Sequence, residues 1–223
     1  KNLLNQLKSA DSEAIICPQT TKENLRNYSS IKIPIVSFNE IQYKNEKLIS
    51  SKINELAYLI YTSGTTSDPK GVAISHEMTE FTTKNIVNVL GYSNSDIDIL
   101  PLPLHHSFGL GCFHTSLMVG STLVLLKNAN NLEHILESVK KYSATTLAAI
   151  PATLTKFLNF DRRILEETFS NIRLIITNST SIPKDTVQNF KEILKNGNLA
   201  TYYGLTEASR STFMIFEKTI GKE

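Results

Sequence analysis

From residue 56 onward, short apolar runs and stretches of helical period take turns along the chain. The run at 57–62 predicts a buried strand, 71–75 a second strand and 77–90 a helix. Further on, 109–118 reads as helix, 121–127 as strand, 131–142 as helix, 145–150 as strand and 151–159 as helix. Residues 172–177 read as strand, 183–195 as helix and 199–203 as the last strand. Residues 96–104 are apolar around Pro101 and Pro103, which predicts a strand edge or a rigid loop, since proline cannot donate to a ladder. Ahead of this region, 14–17 and 33–38 read as short strands, and 39–55, rich in Lys, Asn and Ser, as a surface connection. Strands alternating with helices at this spacing define an α/β class with mostly parallel sheet flanked by helices. Ligands of such sheets bind outside the carboxyl ends of the strands. The segment 62–71 and the turn 203–207 are the two candidates placed there.

Composition narrows the function classes. The chain has 223 residues, 41% of them hydrophobic and 20% charged, with a net charge of +2. Nothing there provides a basic stripe for nucleic acid. The most apolar stretch, Leu117 to Leu126, is short for a bilayer and is interrupted by Gly120, Ser121 and Thr122. The opening Lys1-Asn2-Leu3-Leu4-Asn5-Gln6 turns polar at once and does not read as a signal peptide, so a cytoplasmic protein is expected. Cys17 and Cys112 have neither disulfide-framework nor metal spacing and are expected to be buried thiols.

The richest chemistry lies in Tyr61-Thr62-Ser63-Gly64-Thr65-Thr66-Ser67-Asp68-Pro69-Lys70-Gly71. Glycine lets backbone amides approach an anion, hydroxyls donate to phosphate oxygens, and Lys70 adds charge. A kinase-type P-loop needs glycine where Pro69 stands and a metal-binding hydroxyl where Gly71 stands, so that reading fails. A Ser/Thr-rich surface turn between two strands is the plain alternative. A second group, Tyr202-Tyr203-Gly204-Leu205-Thr206-Glu207, follows the last strand with an aromatic face, a glycine, a hydroxyl and a carboxylate. Its plain alternative makes Tyr203 a core residue and Glu207 a helix start capped by Thr206. Paired His105 and His106 suggest metal, but no third ligand has suitable spacing.

Taken together these segments resemble the adenylate-forming enzymes: acyl-CoA synthetases, luciferases and the adenylation domains of peptide synthetases. Residues 61–71 match that family's phosphate loop except at Ser67, which stands where the family has glycine, and 203–207 match its Tyr-Gly-x-Thr-Glu motif. Leu102 to Gly111 is similar to its acyl-pocket segment, with His106 on the family histidine and His105 in place of an aromatic residue. Ser179 and Thr180 stand where the family has a glycine pair along the adenine.

The resemblance implies that Lys70, with Thr62, Ser63, Gly64, Thr65, Thr66 and Ser67, holds the departing pyrophosphate of ATP. Thr206 binds the α-phosphate, Glu207 holds Mg2+, and Tyr203 beside Gly204 stacks on the purine near Ser179 and Thr180. It further implies a small carboxylic acid substrate and coenzyme A, or the phosphopantetheine arm of a carrier protein, as thiol acceptor. Residues 1–90 would form part of a first lobe with the phosphate loop, and 91–223 a second lobe with the other motifs. Family members are much longer, so the chain is expected to be a fragment that lacks the small C-terminal domain with the catalytic lysine and has little activity alone. A degenerate member that binds nucleotide or a partner without chemistry is the second expectation. In the leading one, the loop and the acidic turn face one another across a common crevice.

Overall fold

A computed structural model describes residues 2–41, 54–62 and 70–216. The chain divides into two compact units, Lys1–His76 and Glu77–Glu223.

In the first unit, α1 (Asn2–Ser9) leads to β1 (Ile15–Cys17), α2 (Gln19–Leu25) and β2 (Ile35–Ser37), with β1 and β2 pairing in parallel. Lys22 is buried on α2 and pairs with Glu40, whose carboxylate also accepts the Ser37 N–H at 2.9 Å. Next come β3 (Leu56–Thr62) and β4 (Lys70–Ser75), which pair antiparallel with Tyr61 opposite Gly71 and Thr62 opposite Lys70. Their Val, Ile, Leu and Tyr content suits a pleated surface. The Tyr61 ring lies over Gly71, where a Cβ would come within 3.2 Å of it, and the Tyr61 hydroxyl donates to the Gln6 carbonyl at 3.0 Å. Helices α1 and α2 have no counterpart in the sequence expectation. At 8 and 7 residues they are too short for an apolar periodicity to stand out.

The second unit is a six-stranded sheet. Helix α3 (His76–Leu90) precedes β5 (Ile97–Leu100), α4 (Ser107–Val119), β6 (Thr122–Leu125), α5 (Leu132–Lys141) and β7 (Thr146–Ala148). Then follow α6 (Pro151–Phe157), α7 (Arg162–Thr168), β8 (Leu174–Thr177), α8 (Lys184–Ile193), β9 (Asn198–Tyr203) and β10 (Thr212–Phe216). The strand order is β10-β9-β8-β7-β5-β6, parallel throughout except for β10.

Helices cover both faces. Ile135, Leu154, Phe157, Leu165, Phe169, Val187 and Phe190, from α5 to α8, pack with Ile99, Leu147, Ile175 and Leu199 in one core layer. Ile86 and Leu90 of α3 and Phe108 and Cys112 of α4 pack with Leu100, Ala148, Ile176 and Tyr202 in the other. Alternate strand residues feed opposite layers, as a strand's period of two requires. The parallel, helix-flanked sheet expected from the sequence is therefore present.

Three details differ. Residues 97–100 form an interior strand between β6 and β7, and the prolines at 101 and 103 act only after the strand ends, so the expected edge does not occur. A separate helix α7 starts at the Asp161 N-cap, whose side chain accepts from the Arg163 N–H at 2.8 Å. A further strand, β10, follows the one read as last. Among the described residues no helix is long and apolar enough to cross a membrane.

One polar cluster fastens the sheet at the amino ends of its strands. Asp96, 2% exposed, receives the Arg173 Nε–H at 2.7 Å, the Thr145 hydroxyl at 2.8 Å and the Ser93 N–H at 2.8 Å. Arg173 also donates to the carbonyls of Leu90 and Gly91, at 3.2 and 3.0 Å, tying α3 to the sheet. The opposite, carboxyl edge is left to the loops.

Candidate functional site

The strand order reverses between β5 and β7. The chain steps outward from β5 to β6 through α4, then returns past β5 to β7 through α5 on the other face, and continues to β8 and β9. Such a switch point opens a crevice at the carboxyl ends of the strands. The segments that leave those ends are 101–106 after β5, 149–150 after β7, 178–183 after β8 and 204–211 after β9. His106, Ser179, Thr180, Tyr203, Gly204, Thr206 and Glu207 thus all stand on one edge of the sheet.

Tyr203 closes β9 with its side chain 65% exposed, which removes the core alternative and leaves a flat apolar surface open to a stacking partner. The Leu205 N–H donates to the Ala208 carbonyl at 3.1 Å and the Ala208 N–H to the Leu205 carbonyl at 3.2 Å. Thr206 and Glu207 are therefore the central pair of a tight turn into β10, and the helix that Thr206 would have capped does not form. Gly204 is required by a close approach, because a Cβ there would meet the Arg210 backbone nitrogen at 2.4 Å and the Ala208 carbonyl oxygen at 2.9 Å. No side-chain hydrogen bond or ion pair occupies Thr206 or Glu207 among the described residues, so a hydroxyl and a carboxylate are presented at the turn tip. One carboxylate beside ligand phosphates is the usual protein contribution to a magnesium site, so Glu207 fits that ion. Among the described residues no cluster of three His, Cys, Asp or Glu could hold a metal unaided.

Ser179 holds φ at 93°, a conformation that glycine adopts readily and that a side chain strains. The backbone thus keeps the shape of the glycine expected there, with the Ser179 and Thr180 side chains exposed. Its N–H is taken by the Asn178 side chain.

His106 is the N-cap of α4, offers no side-chain cap to the helix and is exposed. The His105 and His106 rings lie 4.3 Å apart. Partial burial, and then electrostatic repulsion from the neighbouring His105, hold the His106 imidazole below its usual pKa, which favours the neutral ring.

Behind these loops, Phe108 meets Tyr202 edge-on at 5.3 Å and Arg210 stands over the Tyr202 ring at 4.9 Å. Burial pushes the Tyr202 hydroxyl up to about 12 and the Cys112 thiol up to about 12, with Arg210 opposing both shifts. Arg210, 3% exposed, has no place in the sequence expectation, although a cation three positions beyond Glu207 and before an alternating strand is a visible signal.

Of the phosphate-loop residues, Thr62 and Lys70 lie opposite one another at the base of the β3–β4 hairpin, with Lys70 exposed and the Thr62 hydroxyl 3.5 Å from the Lys70 carbonyl. Ser63, Gly64, Thr65, Thr66 and Ser67 lie outside the described residues. Because β3 and β4 form their own antiparallel pair, this loop does not leave the carboxyl end of a strand of the parallel sheet, contrary to the expectation from sequence.

A doubly wound α/β sheet thus carries an aromatic, hydroxyl and carboxylate turn at its carboxyl edge. Residues 1–222 match the AMP-binding enzyme family, and the chain belongs to it. It is 30% identical over 161 residues to 4-coumarate–CoA ligase-like 3 of Arabidopsis thaliana, an alignment covering 71% of this chain and 29% of the relative. It is 26% identical over 196 residues to acyl-CoA synthetase 7 of Caenorhabditis elegans, covering 82% and 35%. Among solved structures, apo MatB from Rhodopseudomonas palustris superposes with a TM-score of 0.83 at 20% identity, covering 97% of this chain and 45% of that one. The O-succinylbenzoate coenzyme A synthetase of Bacillus subtilis in complex with AMP gives 0.80 at 24%, covering 96% and 43%. The chain thus spans between a quarter and half of the length of these relatives.

Proposed function

We propose that the chain carries the nucleotide site of an ATP-dependent ligase that activates a carboxylic acid as its acyl-adenylate. The observation that carries this reading is the β9–β10 turn. At the edge where parallel sheets bind ligands it presents an open tyrosine ring, with a hydroxyl and a carboxylate that have no partner among the described residues. In the reaction a carboxylate oxygen attacks the α-phosphorus, the bond to the bridging oxygen breaks, and pyrophosphate leaves. A thiol, of coenzyme A or a carrier protein, then takes the acyl group and releases AMP. Catalysis of the first step is positioning and charge neutralisation. The Thr206 hydroxyl would orient the α-phosphate, Glu207 would hold the magnesium ion that offsets phosphate charge, Tyr203 would stack on the purine, and Lys70 would neutralise the pyrophosphate. The neutral His106 ring would line the acyl side.

The glycine-like backbone at Ser179 supports a purine site, a feature that a degenerate nucleotide binder would share. Calorimetric titration with magnesium-ATP tests the site. Wild type binds, and Glu207→Gln weakens magnesium-dependent binding by about 10-fold or more, the worth of a charged contact. Equal affinity for the two proteins would overturn the assignment.

A further inference from the structure

Among the described residues, two buried side-chain polar atoms lack a hydrogen-bond partner: the neutral hydroxyl of Thr177 and Nε of Arg210. The second belongs to a charged group. Arg210 gives one bond at 3.0 Å to the Phe108 carbonyl, a long one at 3.4 Å to the Ser209 hydroxyl and a 4.0 Å contact to the Cys112 sulfur, and it faces the Tyr202 ring. No carboxylate pairs with it among the described residues. Asp98, the buried acid beside the same core layer, is occupied instead by the hydroxyls of Thr146 and Ser116. An arginine buried without a counter-ion is costly, and proteins that keep one supply an anion.

The surroundings are shaped for this guanidinium. Gly111 leaves room for it, since a Cβ there would lie 1.7 Å from an Arg210 Nη and displace the guanidinium. Arg210 itself holds a left-handed φ of 55°. It also sits between the two segments that carry the site. Phe108 and Gly111 lie within the first turns of the helix that His106 caps, and Tyr202 precedes Tyr203.

Building on the ligase reading, we infer that Arg210 is a specificity residue that pairs with a second anionic group on the acid, so that the enzyme selects dicarboxylic over monocarboxylic substrates. The reacting carboxylate meets the nucleotide at the Thr206 turn, and the far carboxylate enters between α4 and β9 to accept the free Nε–H. A planar bidentate fork is the side chain suited to that task.

The test is calorimetry on the 223-residue chain with pairs of equal length: succinate against butyrate, glutarate against valerate, adipate against hexanoate. Each pair is titrated with and without magnesium and α,β-methylene-ATP. At least one dicarboxylate binds about 10-fold or more tightly than its monoacid, Arg210→Gln abolishes the preference, and Arg210→Lys keeps part of it. The inference is overturned if no pair shows the preference, or if it survives in Arg210→Gln. Should that variant fail to fold, the wild-type pairs and the lysine variant decide. Absence of nucleotide binding with the dicarboxylate preference intact would remove the ligase reading and leave the anion site standing.

Discussion

Replacing Ser179 by glycine should make the protein more stable, against the usual effect of glycine. At φ 93° the serine Cβ crowds its own backbone, a strain of about 1–3 kcal/mol for a non-glycine residue. Glycine removes that strain but enlarges the unfolded ensemble, a cost of about 0.5–1 kcal/mol. The Ser179 side chain is exposed, and the bond it stands beside runs from its backbone N–H to Asn178, so the exchange forfeits no contact. The balance is a gain of about 1 kcal/mol, or about 2–4 °C in Tm for a unit of this size. Thermal melts and guanidinium titrations of wild type and Ser179→Gly read it, with equal m-values required. A melting point equal to or below that of wild type would refute the claim that this turn holds a glycine-type conformation. Ser179→Val supplies the opposite sign, since a β-branched side chain tolerates positive φ least.

Gly204→Ala should cost about 2 kcal/mol or more and weaken magnesium-ATP binding together with it, because the new methyl meets backbone atoms that cannot swing aside; denaturation midpoints and calorimetry check both. Asp96→Asn should cost about 2 kcal/mol at pH 7, less than a fully buried pair since Arg173 is 36% exposed. Burial raises the Asp96 pKa, but Arg173, the Ser93 N–H and Thr145 outweigh it and leave it below the ordinary value. The pair's contribution is therefore present above about pH 4 and is lost as pH falls through the depressed folded value, where the two proteins' denaturation midpoints converge. Asp98 behaves oppositely: burial raises it to about 7, with Thr146 opposing, so the folded state holds the proton more tightly and stability falls as pH rises from about 4 to about 7. Asp98→Asn removes that slope, and its stability relative to wild type should increase between about pH 5 and about pH 8 in urea titrations.

Much of the second unit is legible in the chain because its strands and helices are long enough to show their period. In β8 no charge or proline blurs the run: Leu174, Ile175, Ile176 and Thr177 are all buried, which is the apolar signature that a two-sided parallel strand writes into sequence. Residues 97–100 are harder to read, because Asp98 interrupts the run and two prolines follow. Only the structure shows Asp98 satisfied by Thr146 and Ser116, which is what permits a carboxylate in an interior strand. The antiparallel β3–β4 pair is hidden within the parallel pattern because strand direction is set by pairing partners, which local sequence does not reveal. At the site, the motif residues Tyr203 to Glu207 stand out by chemistry, whereas Arg210 shows in sequence only as a cation near them. Its meaning depends on its burial and on having no carboxylate partner among the described residues, both properties of the folded state.

The central claim is that the turn after β9 holds the adenosine end of a nucleotide. Calorimetry of wild type and Tyr203→Ala with AMP tests it directly. If the purine stacks on the exposed Tyr203 ring, the variant binds AMP about 10-fold or more weakly than wild type. An unchanged affinity for AMP would contradict the account.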